Sequence, residues 1–97
     1  MIVLLARYYT RPGQAEAVLA NLRQMAALVK IHEPGCKLYQ VSHSRENRDL
    51  LLLYEQYVDQ TAVDAHRATA HFQMYILDTI IPMLEKREVE FFDLAIS

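Results

Sequence analysis

The 97-residue sequence contains one cysteine, no tryptophan, two glycines and three prolines. The single cysteine, Cys36, excludes an intramolecular disulfide and a cysteine-based zinc site. No run of Lys or Arg offers a footprint for nucleic acid or anionic membrane, and the net charge is −2. The opening stretch MIVLLARYYT is too short for a transmembrane helix and lacks the basic region of a signal peptide. We therefore expect a cytoplasmic protein that binds neither nucleic acid nor membrane.

Several well-known motifs are also missing. The chain has no GxGxxG, P-loop, GxSxG or HExxH sequence, which removes most nucleotide enzymes, serine hydrolases and zinc peptidases from consideration. It has no internal repeat, low-complexity tract or linker, so residues 1–97 are predicted to form a single domain.

Hydrophobic residues make up 53 % of the chain, above the usual share of about 45–50 %. Periodicity and turn residues predict strands over 2–9, 36–44, 50–58 and 88–96, a helix over 14–31, and a second helix in two pieces over 60–67 and 70–81. Asp59 and Thr69 are the predicted caps of the two pieces, and Pro82 ends the second one.

This β-α-β-β-α-β order predicts an α+β, ferredoxin-like fold with an antiparallel sheet and helices on one face. The other face would carry Val3, Leu5, Leu52 and Tyr54, which are poorly suited to water. We therefore predict a homodimer in which two sheets pack face to face as a dimeric α+β barrel. The alternative is a monomer with an unusually apolar sheet.

Three stretches resemble the antibiotic biosynthesis monooxygenase (ABM) family of dimeric α+β barrels: EPGCKLYQV, LLLYEQYVDQTAVDAHRATAHFQMY and EVEFFDLAI. The matching features are a Glu-Pro-Gly-Cys turn, a Tyr-Glu-x-aromatic strand end, and a helix with Ala-His followed by Thr-x-His-Phe. The resemblance implies a pocket in each subunit between the sheet and the segmented helix.

Members of that family include cofactor-independent quinol monooxygenases, haem-degrading enzymes and an isomerase. The resemblance to the haem branch is poor, because this chain has no Trp, no Asn in its first strand and no His near Ile76. The resemblance therefore implies a cofactor-independent and metal-independent monooxygenase that oxidises a small phenolic or quinol metabolite with O₂. Such a reaction needs a base with a pKa near neutral, and tyrosine hydroxyls to orient the ring.

The candidate catalytic residues lie around the helix break and at the end of the third predicted strand. His66 and His71 flank the break, where side chains can be directed into a cleft, and Tyr57 ends the strand. The candidate substrate-binding residues are Tyr8, Leu53, Glu55, Phe72 and Tyr75. Glu55 would be a half-buried carboxylate, which Arg7 or Arg67 could pair.

Each candidate residue also has a structural interpretation. His66 and His71 could brace the helix break, and Glu55 could belong to a structural ion pair. The alternative function is a non-catalytic dimeric barrel that binds a small molecule or serves as an interaction module. Haem degradation and isomerisation remain further alternatives within the same family.

Overall fold

The computed structural model describes all 97 residues. A four-stranded antiparallel sheet has the strand order β2-β3-β1-β4. The elements are β1 (Ile2–Thr10), α1 (Ala15–His32), β2 (Cys36–His43), β3 (Leu50–Tyr57), α2 (Gln60–Arg67), a π-helix (Phe72–Ile80), a short 3₁₀ helix (Ile81–Met83) and β4 (Leu84–Asp93). The predicted α+β, ferredoxin-like order is confirmed, and none of the helices is long and apolar enough to cross a membrane.

The predicted bounds of the last strand were wrong. β4 begins at Leu84, directly after the 3₁₀ turn that contains Pro82, and it ends at Asp93. Its first half, Leu84 to Arg87, is rich in charge, and this concealed the alternation of its side chains. These residues still pair with β1, because Arg87 lies opposite Tyr8 in the antiparallel register.

The two faces of the sheet divide as the alternation predicts. Leu4, Ala6 and Tyr8 of β1 face the helices and are buried, as are the odd-numbered residues of β3. Helix α1 covers them with a stripe spaced three or four residues apart, formed by Val18, Leu22, Met25 and Val29. One core cluster therefore fills the space between the sheet and the helices.

The opposite face of the sheet has no helix. Leu5 pairs with Tyr54 there, and Arg7 pairs with Leu52. Arg7 forms an ion pair with Glu90 on β4, so the predicted pairing of Arg7 with Glu55 was wrong. The reason is the strand period of two, which places Arg7 and Glu55 on opposite faces of the sheet.

The helical segments after β3 start where the sequence predicts. The Asp59 carboxylate accepts a hydrogen bond from Ala62 N at 2.9 Å, and the Thr69 hydroxyl accepts one from Phe72 N at 3.1 Å. The second piece departs from the prediction of an ordinary helix, because Phe72–Ile80 has π-helical turns. Such wide turns are often found at functional sites.

A close contact fixes α2 against the turn between α1 and β2. A Cβ atom placed on Gly35 would lie 2.7 Å from the Cβ of Ala62, closer than side chains pack. The backbone of this turn also holds the end of β3, because Val58 N donates to Gly35 O at 2.9 Å. Glycine at this position therefore lets α2 approach the residue pair Glu33–Pro34.

We expect Gly35→Ala to lower the free energy of unfolding by about 1–3 kcal/mol, because the added methyl group overpacks the contact with α2. Chemical denaturation monitored by circular dichroism measures this effect. The companion change Ala62→Gly removes the opposing methyl group and costs about 1 kcal/mol through its helix propensity.

The double variant Gly35→Ala, Ala62→Gly should be more stable than the sum of the two single effects allows. Simple additivity of the two losses would show that the close approach does not determine the packing of α2.

Candidate functional site

The best-defined polar cluster of the protein centres on Glu33, the residue that caps the end of α1. His66 Nδ1 lies 2.7 Å from Glu33 Oε1, and His71 Nε2 lies 2.5 Å from Glu33 Oε2. The side chains of Glu33 and His66 are almost completely buried, and that of His71 is 10 % exposed. One carboxylate therefore ties together the two histidines that flank the helix break.

The ionisation of Glu33 follows from these contacts. Burial alone would raise the pKa of Glu33, but the hydrogen bonds from His66 and His71 outweigh burial and hold it below its ordinary value. An ionised carboxylate accepts hydrogen bonds and cannot donate them. Both contacting nitrogens must therefore carry a proton, so the tautomer of His66 that this contact selects is the one with Nδ1–H and a free lone pair on Nε2.

A second carboxylate lies on the other side of the His66 ring. Glu55 Oε1 is 3.8 Å from His66 Nε2, too far for a hydrogen bond. The same oxygen accepts a hydrogen bond from the Tyr57 hydroxyl at 2.6 Å. His66 therefore lies between two glutamates, and it forms a hydrogen bond with only one of them, Glu33, through Nδ1.

Burial controls the protonation of the groups around Glu55. It raises the pKa of Glu55, and the hydrogen bond from Tyr57 offsets this only in part. Burial and the adjacent Glu55 raise the pKa of Tyr57 far above its ordinary value, and burial raises the pKa of Tyr8 to about 12. Both tyrosine hydroxyls are therefore protonated at neutral pH and can donate hydrogen bonds.

Aromatic rings pack around His66. The Phe72 ring centroid lies 5.2 Å from that of His66 in an edge-to-face arrangement, and the Tyr57 centroid lies 5.3 Å away. The first ring comes from the start of the π-helix and the second from the end of β3. Their packing fixes the orientation of the imidazole within the sheet–helix layer.

His66 and Glu55 line a small cleft between the sheet and the helices. Its free volume for the centre of a water molecule is about 10 Å³, which is room for about one water. The cleft as it stands is smaller than an aromatic ring. Its remaining walls combine aromatic, apolar and cationic groups: Leu4, Ala6, Tyr8, Tyr39, Arg67, Phe72, Ile76 and Arg87.

Half of the eight predicted site residues line this cleft, namely Tyr8, Glu55, His66 and Phe72. Tyr57 contacts Glu55 from behind, and Leu53 is buried in the hydrophobic core. His71 lies on the far side of Glu33, stacked on the exposed His32 ring at 6.1 Å. Tyr75 packs against the core and does not reach the cleft walls.

The suggested pairing of Arg67 with Glu55 is also absent, because the Arg67 guanidinium lies over the ring of Phe91 instead. The Glu55 carboxylate instead accepts a hydrogen bond from the Tyr57 hydroxyl, two residues further along the same strand.

Sequence reasoning missed Glu33, Tyr39 and Arg87 as parts of the site. A signal for Glu33 was present, because an acidic residue at the end of a helix opposes the helix dipole and needs a compensating partner. Arg87 was missed because the predicted last strand began at residue 88, four residues after β4 begins at Leu84. Tyr39 both packs against the core and lines the cleft.

The sequence of this chain matches a protein-family model and a named relative. Residues 1–76 match the family model described as "Antibiotic biosynthesis monooxygenase". The chain is 31 % identical over 74 residues to a Mycobacterium tuberculosis protein named "Putative monooxygenase Rv0793", covering 76 % of this chain and 71 % of that protein.

Solved structures agree with this match. The structure of Rv0793 superposes with a TM-score of 0.89 at 26 % identity, covering 99 % of this chain and 96 % of the other. A Caulobacter crescentus structure described as a "putative antibiotic biosynthesis monooxygenase" gives a TM-score of 0.91 at 25 % identity, covering 97 % and 89 %.

We expect Glu33→Gln to lower the free energy of unfolding by about 1.5–3 kcal/mol at neutral pH, because hydrogen bonds to a charged group are lost. A carboxylate with a folded-state pKa below its unfolded value stabilises the fold above that unfolded value. Its contribution disappears as the pH falls through the folded pKa. The difference from wild type should therefore shrink on acidification below about pH 4.3, as measured by urea denaturation.

Glu55→Gln is the matched control, since Gln can still accept from Tyr57. The pKa of Glu55 is raised on folding, so its charge opposes folding at higher pH and this penalty disappears as the pH falls. Glu55→Gln should leave stability unchanged or increased at neutral pH. An equal loss at neutral pH for both variants would contradict the distinct roles of the two carboxylates.

Proposed function

Since the chain belongs to the antibiotic biosynthesis monooxygenase family, we propose that it oxidises a small phenolic or quinol metabolite with O₂, using His66 as the base. The observation that carries the proposal is the buried arrangement of Glu33, His66 and Glu55 at the cleft. His66 presents an unengaged Nε2 to this cleft, and its other nitrogen is held by an ionised carboxylate.

Proton abstraction is the step for which this geometry is suited. A phenolic O–H placed near His66 Nε2 would pass its proton to that nitrogen, and the Glu33 carboxylate would stabilise the imidazolium that forms. Glu33 here acts as a positioning residue, because it contacts His66 and lies outside the cleft. His71 acts further back, as the second donor that holds Glu33 in place.

The ring-binding groups are also present in the cleft. Tyr8 and Phe72 offer aromatic surface, and the protonated Tyr8 hydroxyl can donate to a substrate oxygen. Leu4, Ala6 and Ile76 provide an apolar wall that limits the access of water to a reactive anion. These features support a ligand that is planar, aromatic and hydroxylated.

The overall reaction proposed for a hydroquinone is balanced by O₂ alone. One hydroquinone and one O₂ give one hydroxyquinone and one water. The ring loses four electrons, the O–O bond breaks, and one oxygen atom forms a new C–O bond at a carbon whose C–H bond breaks. The other oxygen atom takes up two protons as water, one from that C–H bond and one from a phenolic O–H. The deprotonated ring supplies the first electron to O₂, so the role of the protein is to bind the ring and accept its proton.

A second candidate function is a non-catalytic barrel that binds a small molecule. The size of the cleft favours it, because the present volume accepts about one water and no aromatic ring. The two functions differ in whether O₂ is consumed once a ligand has entered.

We expect wild-type protein to consume O₂ with at least one member of a hydroquinone panel, and His66→Gln to lower the initial rate by about 10²–10⁴-fold, the usual contribution of a general base. An oxygen electrode measures both rates. His43→Gln is the control, because His43 is exposed at the end of β2, away from the cleft, and its side chain is hydrogen-bonded to Arg48 O. Lack of uptake by the wild type with every compound, or full activity of His66→Gln, would contradict the proposal.

The assembly proposed for the active protein is a homodimer that covers the helix-free face of the sheet. This face carries half-buried Leu5, Leu52 and Tyr54 together with Phe92, whose side chain is 49 % exposed. An apolar surface of this kind on a small domain usually marks an interface. Face-to-face packing of two sheets would remove it from water and give the barrel that the sequence predicts.

Sedimentation velocity should show a dimer for the wild type and a monomer for Leu52→Glu, because a carboxylate buried between two sheets would lack a partner. The monomer should keep its fold, since Leu52 lies beside Arg7 on the helix-free face and is only half-buried there. Ile31→Glu is the control, an equal change at an α1 side chain that is 72 % exposed. A wild-type monomer at micromolar concentration would contradict the proposed assembly.

A further inference from the structure

We propose that the cleft binds an aromatic compound that also carries an acidic group, an aromatic hydroxy acid, and that Arg67 and Arg87 hold this anion. The proposal rests on the phenolic ligand proposed above, and it adds the charge of that ligand and the residues that recognise it. Arg87 belongs to β4, beyond the residues 1–76 that match the family model.

Arg87 enters the cleft from β4, on the face of the sheet that the helices cover. It lies opposite Tyr8 in the strand register, and its guanidinium carbon is 5.7 Å from the centroid of the Tyr8 ring. Its charge reaches the buried groups of the cleft. It opposes the effect of burial on the pKa of both Tyr8 and Glu55. Arg87 therefore creates a positive potential where the hydroxylated ring is proposed to bind.

Arg67 reaches the same cleft from α2. It is the last residue of α2 and directly follows His66. Its guanidinium carbon lies 5.0 Å from the centroid of Phe91, a β4 side chain that is 45 % exposed. Each arginine thus rests on an aromatic ring, which restrains the guanidinium and lowers the entropy lost when it binds an anion.

Neither guanidinium is paired with a carboxylate. The ion pairs of the protein involve Arg7, Lys86, His66 and His71, so Arg67 and Arg87 have no acidic partner within 4.0 Å. Each guanidinium has five N–H donors and no acceptor, in a planar fork that matches a carboxylate. Two unpaired cations beside one buried glutamate leave the cleft able to take one further negative charge.

The same arginines provide a way for a ring to enter. Both side chains are exposed along part of their length while they line the cleft. Long exposed side chains change rotamer on the ps–ns timescale. Their outward movement would enlarge the cleft without disturbing the buried Glu33–His66 pair, and their return would bring the guanidinium groups onto the acidic substituent.

The probes for this proposal are 1-hydroxy-2-naphthoic acid and its uncharged amide, 1-hydroxy-2-naphthamide, which have similar size and the same phenolic group. Isothermal titration calorimetry at low ionic strength measures the binding of each to the wild type. We expect the acid to bind at least about tenfold more tightly, in keeping with charge-assisted contacts. Added salt should weaken the binding of the acid more than that of the amide.

The variants assign this preference to particular residues. Arg87→Gln should reduce the acid-to-amide ratio to about threefold or less, and Arg67→Gln should reduce it by a smaller factor, because Arg87 is the arginine that lies opposite Tyr8 in the strand register. Arg23→Gln, at an exposed position of α1, makes the same change in net charge away from the cleft and should leave the ratio unchanged. Thermal unfolding of each variant checks that the fold persists.

Three results would overturn the proposal. These are equal binding of acid and amide by the wild type, equal loss of preference in Arg23→Gln and Arg87→Gln, and no binding of either compound up to its solubility. The monooxygenase activity is tested separately with O₂. A protein that prefers the acid but consumes no O₂ would keep the anion site and contradict the monooxygenase. O₂ consumption without any preference for the acid would support the monooxygenase and contradict the anion site.

Discussion

The bridge from Glu33 to the two histidines is the constraint on which the site depends. It joins the end of α1 to the residues on both sides of the helix break, so three parts of the chain share one carboxylate. Without this charge, the buried His66 would lose its fixed tautomer, and the break would lose its attachment to α1. The packing that lets α2 approach this turn, with Gly35 against Ala62, belongs to the same arrangement.

The fold was largely predictable because it depends on periodicity. Alternation placed Leu4, Ala6 and Tyr8 on the covered face, and the spacing of Val18, Leu22 and Met25 defined α1. The site was less predictable, because its contacts join residues far apart in sequence. Glu33 and His66 are separated by 33 positions, and no local pattern indicates their pairing. The sequence marked both as notable residues but assigned Glu33 only to a turn.

Two of the errors of assignment have a common origin in charge. Arg7 was considered a partner for Glu55, but strand alternation directs it to the open face, where Glu90 lies beside it. The start of β4 was missed because its exposed edge carries charged residues in place of apolar ones. An edge strand rich in charged residues is recognised more easily from its pairing with a neighbouring strand than from its composition. Here the neighbouring strand is β1.

The number of residues in the π-helix affects the position of the strand that follows it. The backbone N–H of Ile81 donates to the carbonyl of Ile76, five residues earlier, and the Thr79 hydroxyl donates to the carbonyl of Met74. Such turns hold more residues than those of an α-helix. Deleting one residue there would allow the turns to tighten and would rotate every later side chain about the axis. Leu84 would then reach β1 out of step with Thr10, and Arg87 would no longer stand opposite Tyr8. The number of residues in this segment thus sets where the last strand places its cation.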